Sequence, residues 1–193
     1  MSRALGVNRA LVKKAIFESA STGSERCIFL SHATVDKPAV KKIGDYIIKA
    51  GIDIYLDEND SDLQAAVSKG DNDAITKCIE NGLSNSTDIL CIVSESTKAS
   101  WWVPYEIGYG KKSTAKISTI LLEDVTTIPS YLLVTHLLKD IWDLNKFLDQ
   151  LVSAKVAVLN ESYNYNLAKS GSVMDSNAQN HPLAGYVKRF RTN

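Results

Sequence analysis

Ile89-Leu90-Cys91-Ile92-Val93 is the clearest buried strand in the sequence, five apolar residues in a row bounded by Asp88 and Ser94. Its length and β-branched content suit a strand rather than a buried helix. Upstream, Ala74, Ile75, Cys78 and Ile79 recur at helical spacing and stop at Asn81-Gly82. A polar segment, Asp57-Glu58-Asn59-Asp60-Ser61-Asp62, runs from there back through Lys69-Gly70, and before it Ile52-Asp53-Ile54-Tyr55-Leu56 alternates as a second strand. Pro38 opens a further helix, with Val40, Ile43, Tyr46, Ile47 and Ile48 on its apolar face and Ala50-Gly51 at its end. Cys27-Ile28-Phe29-Leu30 is another short apolar strand, halted at Ser31-His32. Downstream, a polar loop from Ser94 to Ser100 leads into a helix from Trp101 to about Gly110, a fourth strand from Ile117 to Leu122, and a weaker fifth around Leu138 to Trp142. A helix from about Asn145 to Val158 follows. Strands alternating with helices at this spacing predict an α/β fold with a parallel sheet. Five of them fit the flavodoxin-like order 2-1-3-4-5.

The flanks differ from this centre. Residues 1–22 are basic and amphipathic, compatible with a transit peptide, and are read as a helical lead-in from about Arg3 to Ser19. The domain proper is expected over residues 23–159. Residues 160–193 turn to Asn, Ser and Tyr with no period, the texture of an extension that is either lightly packed or partly disordered. The 193 residues carry 22 Lys+Arg against 22 Asp+Glu, so the net charge is zero, which argues against nucleic-acid or membrane-surface binding. No apolar run approaches the ~20 residues of a membrane span. The three cysteines, Cys27, Cys78 and Cys91, are too scattered for a disulfide framework or a zinc site. A cytoplasmic protein without a bound metal is the expectation.

A parallel sheet of this order takes its ligand outside the carboxyl ends of the strands, where the order reverses between strands 1 and 3. That singles out Ser31-His32 and the segment from Ser94 to Glu106. Trp102 and Glu106 are four apart at the start of a helix and share one face. An indole beside a carboxylate suits a planar cationic aromatic group. The same spacing fits a tryptophan packed on the sheet and a first-turn glutamate favoured by the helix dipole. Other signals are weak: Gly108 and Gly110 lack a third glycine and a preceding strand, and the acidic run from Asp57 to Asp62 lacks the glycine and distal glutamate of a calcium loop. His32, His136 and His181 have no partners at ligand spacing. A phosphorylation receiver of similar topology wants an acidic cluster where Ser31-His32 stands.

The pieces named so far do resemble a known family. Cys27-Ile28-Phe29-Leu30-Ser31-His32 with Asp36-Lys37-Pro38, the Gly51 to Asp57 strand, Asp88 to Ser94, Ser100-Trp101-Trp102 and Glu106 together resemble Toll/interleukin-1 receptor (TIR) domains, from about Arg26 to Leu151. Within that family, Gly70-Asp71 to Ile79, Asn81-Gly82-Leu83-Ser84-Asn85 and Trp102-Val103-Pro104-Tyr105-Glu106-Ile107 look most like the TIR subunit of bacterial Thoeris antiphage systems.

The resemblance implies an enzyme that cleaves the nicotinamide–ribose bond of NAD+, with NAD+ as substrate rather than cofactor. It implies that Glu106 is the catalytic carboxylate and that Trp102 packs near the nicotinamide. It further implies that Ser31, His32 and the loop from Asp57 to Gly70 hold ribose or phosphates, and that Ser94, at the head of the same edge, also binds the substrate. The acidic run sits awkwardly beside a pyrophosphate. The implied product is an ADP-ribose-derived signal, a cyclic isomer or a conjugate, read by a separate effector. Self-association through TIR surfaces is implied as well. An NAD-depleting toxin and a non-catalytic TIR interaction module are the alternatives.

Overall fold

The computed structural model describes residues 5–11, 26–113, 115–156 and 181–188. A five-stranded, wholly parallel sheet lies at its centre, in the order 2-1-3-4-5. Strand β1 spans Cys27–Ser31, β2 Asp53–Tyr55, β3 Asp88–Val93, β4 Lys116–Leu121 and β5 His136–Leu138. Helices α1 (Lys37–Lys49), α2 (Ser61–Lys69), α3 (Asn72–Ser84), α4 (Trp102–Lys112) and α5 (Ile141–Val156) cover both faces. β1 and β3 are buried at every residue, because each has sheet on both edges and helices on both faces.

Strand alternation sorts the side chains into two cores. Ile28, Leu30, Leu90 and Ile92 point toward α1 and α5, among Val40, Ile43, Ile47, Leu144 and Leu148. Cys27, Phe29, Ile89, Cys91 and Val93 point the other way, among Leu63, Ile75, Ile79, Val103 and Ile107 of α2, α3 and α4. The same alternation carries Ser31 onto the α4 side at the carboxyl end of β1.

Several boundaries differ from the sequence reading. The fifth strand ends at Leu138, and Trp142 already lies in α5. Asp140 stops the strand by accepting the Asp143 amide at 3.0 Å, while the Asp143 carboxylate accepts the Lys139 amide at 3.1 Å. Helix α2 occupies what reads as a polar segment. Only Leu63 and Ala66 on it are buried, so it has almost no apolar stripe, and Asp60 starts it by accepting the amides of Asp62 and Leu63 at 2.9 and 3.1 Å. Helix α3 continues past Asn81-Gly82 to Ser84. Gly82 serves close packing rather than termination, since a Cβ there would lie 2.5 Å from the Tyr55 ring.

The expected lead-in helix does not include residues 5–8. They run extended beside the outer edge of β2, where Ile54 donates to the Val7 carbonyl at 2.9 Å and Val7 to the Asp53 carboxylate at 3.1 Å. Arg9 closes on Asp53 at 3.0 Å and heads a single 3-10 turn, Arg9–Leu11. The edge strand supplies unpaired backbone groups, and pairing with them outweighs local helix propensity. The remainder of the predicted lead-in, residues 1–4 and 12–22, lies outside the described residues.

Most of the 160–193 extension also lies outside them, but residues 181–188 are firmly packed. Leu183 and Val187 are fully buried in the α1–α5 core, and Val187 bridges Leu122 in antiparallel fashion. Glu123 donates to the Tyr186 carbonyl at 3.0 Å and Ile141 to the Lys188 carbonyl at 3.1 Å. The sparse aliphatics hide this segment in the sequence, because two buried residues suffice to anchor it. Leu183→Ala is expected to lower unfolding stability by about 2–5 kcal/mol, the usual cost of emptying a buried leucine site. Urea denaturation measures this, and an unchanged midpoint would show that the segment does not belong to the core.

Candidate active site

The site is built at the carboxyl edge of the sheet from the two central strands. Ser31 ends β1, and its backbone pairs in register with Cys91 of β3. Both side chains face α4. There the Ser31 hydroxyl donates a 2.6 Å hydrogen bond to Oε2 of Glu106. Glu106 is 3% exposed and is the fifth residue of α4, past the first turn, so the helix dipole does not explain it. Its neighbours on α4, Val103 and Ile107, are buried against the sheet and press the carboxyl group inward.

Burial pushes the Glu106 carboxyl up to about 8, against the Ser31 hydrogen bond, which lowers it, and with the Asp57 charge, which raises it further. Asp57 opens the 3-10 turn after β2 and is itself raised, chiefly by burial, with the charge of His32 acting to lower it. His32 Nδ1 lies 2.9 Å from the Leu30 carbonyl, and because a carbonyl can only accept, Nδ1 carries the proton. Nε2 then faces the Asp57 carboxylate at 3.9 Å. Two carboxyl groups whose charged forms are disfavoured by burial, Glu106 and Asp57, so lie near one another at this edge.

Trp102 is the first residue of α4, one turn ahead of Glu106. Its ring meets Tyr105 edge-on, with centroids 5.9 Å apart, and is 38% exposed, so a planar surface remains available to a ligand. Pro104 sits in the first turn, where its missing N–H costs nothing.

The structure thus brings Ser31, His32, Asp57, Glu106 and Trp102 to one edge. Ser94 belongs to that edge in a structural capacity. Its hydroxyl donates to Asp36 at 2.5 Å and accepts from the Ser96 amide at 3.1 Å, clamping the loops after β1 and β3. Gly70 lies at the far end of α2, about 14 Å of helical rise from Ser61. Its positive φ of 66° makes it a helix cap. The segment from Asp57 to Gly70 is therefore a 3-10 turn and a helix rather than one continuous loop. Cys91, read from sequence as core alone, also floors the site, and its thiol is pushed up by burial and then by the Glu106 charge. Pairing of β1 with β3 is the signal that would have found it. Among the described residues no group of three or more His, Cys, Asp and Glu is arranged to hold a metal ion.

A carboxyl raised on folding binds its proton more tightly in the native state, so stability falls as pH rises between the unfolded value near 4.5 and about 8. Glu106→Gln is expected to flatten much of that slope and to stabilise the protein at pH 9 by on the order of 2–3 kcal/mol. Chemical denaturation at pH 5, 7 and 9 measures it; parallel pH profiles for the two proteins would contradict the buried-acid assignment.

No curated protein matches the chain. Among the described residues no helix is long and apolar enough to cross a membrane. The family comparison does give a match, to the TIR domain over residues 28–152, which takes in the five strands, apart from Cys27 at the start of β1, and both central loops of the site. With this match over more than half of its length and the sheet order described above, the chain belongs to the TIR domain family.

Proposed function

We propose that this TIR domain cleaves the bond between nicotinamide and ribose in NAD+, with Glu106 as the catalytic carboxylate. TIR domains can be NAD+-cleaving enzymes. The observation that carries the reading here is the buried Glu106 carboxyl, held by Ser31 at the carboxyl edge of the sheet, with the exposed face of Trp102 one turn away. A buried carboxyl at a ligand edge with no basic partner among the described residues, its charged form disfavoured by burial, is a candidate functional acid.

Oxidised nicotinamide is a flat cation, and its ring can lie on Trp102. As the C–N bond breaks, the electron pair leaves with the pyridine nitrogen and nicotinamide departs neutral. The positive charge moves onto the ribosyl carbon and ring oxygen, where the Glu106 carboxylate stabilises it. The cation of the substrate draws Glu106 into its ionised form on binding. When a nucleophile captures the ribosyl centre it loses a proton, and Glu106, whose carboxyl favours the protonated state, accepts it. His32 and Asp57 form the neighbouring wall toward the rest of the nucleotide. Water as nucleophile yields ADP-ribose, an internal nucleophile a cyclic isomer, and an amino acid a conjugate.

The likeness of residues 70–85 and 102–107 to a bacterial antiphage TIR subunit supports a product that serves as a defence signal for a separate effector. Self-association of TIR domains supports activation on assembly.

Glu106→Gln is expected to lower nicotinamide release at least 100-fold with the fold retained, as a group acting in the transition state should. Mass spectrometry of cells expressing either protein, with and without phage infection, reads both the loss and the product. Turnover unchanged in the variant would end the catalytic reading, and a product absent from both would favour a non-catalytic interaction module. For the purified wild type, kcat/KM should climb with pH through about 8, where the free protein's Glu106 ionises. A flat profile from pH 6 to 9 would remove Glu106 from that role.

A further inference from the structure

Tyr131 sits in the 3-10 turn Ser130–Leu132 that follows β4, on the same edge of the sheet as Glu106. The turn is rigid. Leu132 is fully buried, its amide donates to Pro129 at 2.9 Å, and Thr135 Oγ1 donates to its carbonyl at 2.7 Å. The loop leading into it is tied at Thr126, whose amide donates to Glu95 at 3.0 Å, and at Val125, whose carbonyl accepts from Lys188 at 2.5 Å. The Tyr131 ring packs against the α4-side core.

Its hydroxyl oxygen is buried, yet among the described residues it has no hydrogen-bond partner. A buried phenol almost always finds one, because leaving it unpaired forfeits the hydrogen bond it had to water. Nothing in the packing requires the oxygen there, since a phenylalanine would fill the same space. The cluster it packs against includes Cys91, whose backbone pairs with Ser31, and Val103 and Ile107, which flank Glu106 on α4; burial, with the charges of Cys91 and Glu106, keeps the phenol in its protonated, donating form. The hydroxyl that donates to Glu106 is that of Ser31, not that of Tyr131.

We propose that Tyr131 is a substrate-positioning residue whose hydroxyl donates a hydrogen bond to the ribosyl half of the substrate that Glu106 acts on. This rests on the NAD+-cleaving reading above. The nicotinamide has Trp102 to lie on, whereas the ribose carries hydroxyl oxygens that accept hydrogen bonds and must come next to the Glu106 carboxylate, within the neighbourhood of Tyr131.

Tyr131→Phe in the full chain removes one oxygen and tests the assignment. Expected are a melting temperature equal to or above that of the wild type and a kcat/KM for NAD+ lower by roughly tenfold or more, about the worth of one hydrogen bond. In the Glu106→Gln background, where turnover does not interfere, the same change should weaken NAD+ binding about tenfold by titration calorimetry. A structural tyrosine would behave differently, losing melting temperature while KM and the binding constant stay put, and that outcome overturns the proposal. So does a wild type that turns over NAD+ beside a Tyr131→Phe protein with the same kcat/KM and binding constant, in which case the NAD+ reading survives alone. A wild type that neither binds nor cleaves NAD+ removes the reading and this assignment with it.

Discussion

One buried hydrogen bond, Ser31 Oγ to Glu106 Oε2 at 2.6 Å, ties the architecture to its chemistry. It joins the end of the first strand to the middle of the fourth helix, 75 residues on, and depends on almost every feature of the fold. β1 must pair with β3 so that Ser31 lies beside Cys91, and the alternation of β1 must turn residue 31 rather than 32 toward α4. Val103 and Ile107 must seat α4 on the sheet so that Glu106 reaches down. A shift of one residue in β1 would put His32 against α4 and leave the carboxyl group without its donor.

The same arrangement sets the electrostatics. Burial and the Asp57 charge hold Glu106 toward its neutral form, and the Ser31 hydroxyl opposes them. A group balanced in this way is sensitive to a cation arriving beside it, which inverts the preference. His32, fixed by its Nδ1 hydrogen bond to the Leu30 carbonyl, presents Nε2 to Asp57 and completes the wall. Geometry of this kind stores its cost in the core: the fully buried and mostly apolar strands β1 and β3 offset the burden of a buried acid.

Both ends of the described chain reinforce the sheet in ways that helical periodicity conceals. Residues 5–8 cover the outer edge of β2, and residues 181–188 close over the end of β4 and the start of α5. Neither segment has the repeating apolar pattern that announces an element. Each is held by a few specific contacts, Arg9 to Asp53 in one and Leu183 and Val187 in the other. Helix α2 escaped the pattern for the same reason, since its exposed Val67 and its two buried residues make no stripe.

The amino-acid sequence by itself determined the α/β class, the parallel order and the edge on which the candidate site lies. Long apolar runs such as Ile89 to Val93 and the 3.6-residue period of α1 and α3 are local properties, and the handedness of strand–helix–strand connections leaves few ways to join them. It also placed Trp102 and Glu106 on one helical face, because that depends only on spacing. Tertiary structure alone decided which neighbours those residues meet. That Glu106 is buried and bonded to Ser31, that Asp57 stands opposite His32, that Cys91 and Tyr131 border the site, and that Ser94 and Gly70 are caps all follow from contacts between segments far apart in the chain. Such contacts are fixed by strand register and helix seating, which no local pattern of residues encodes.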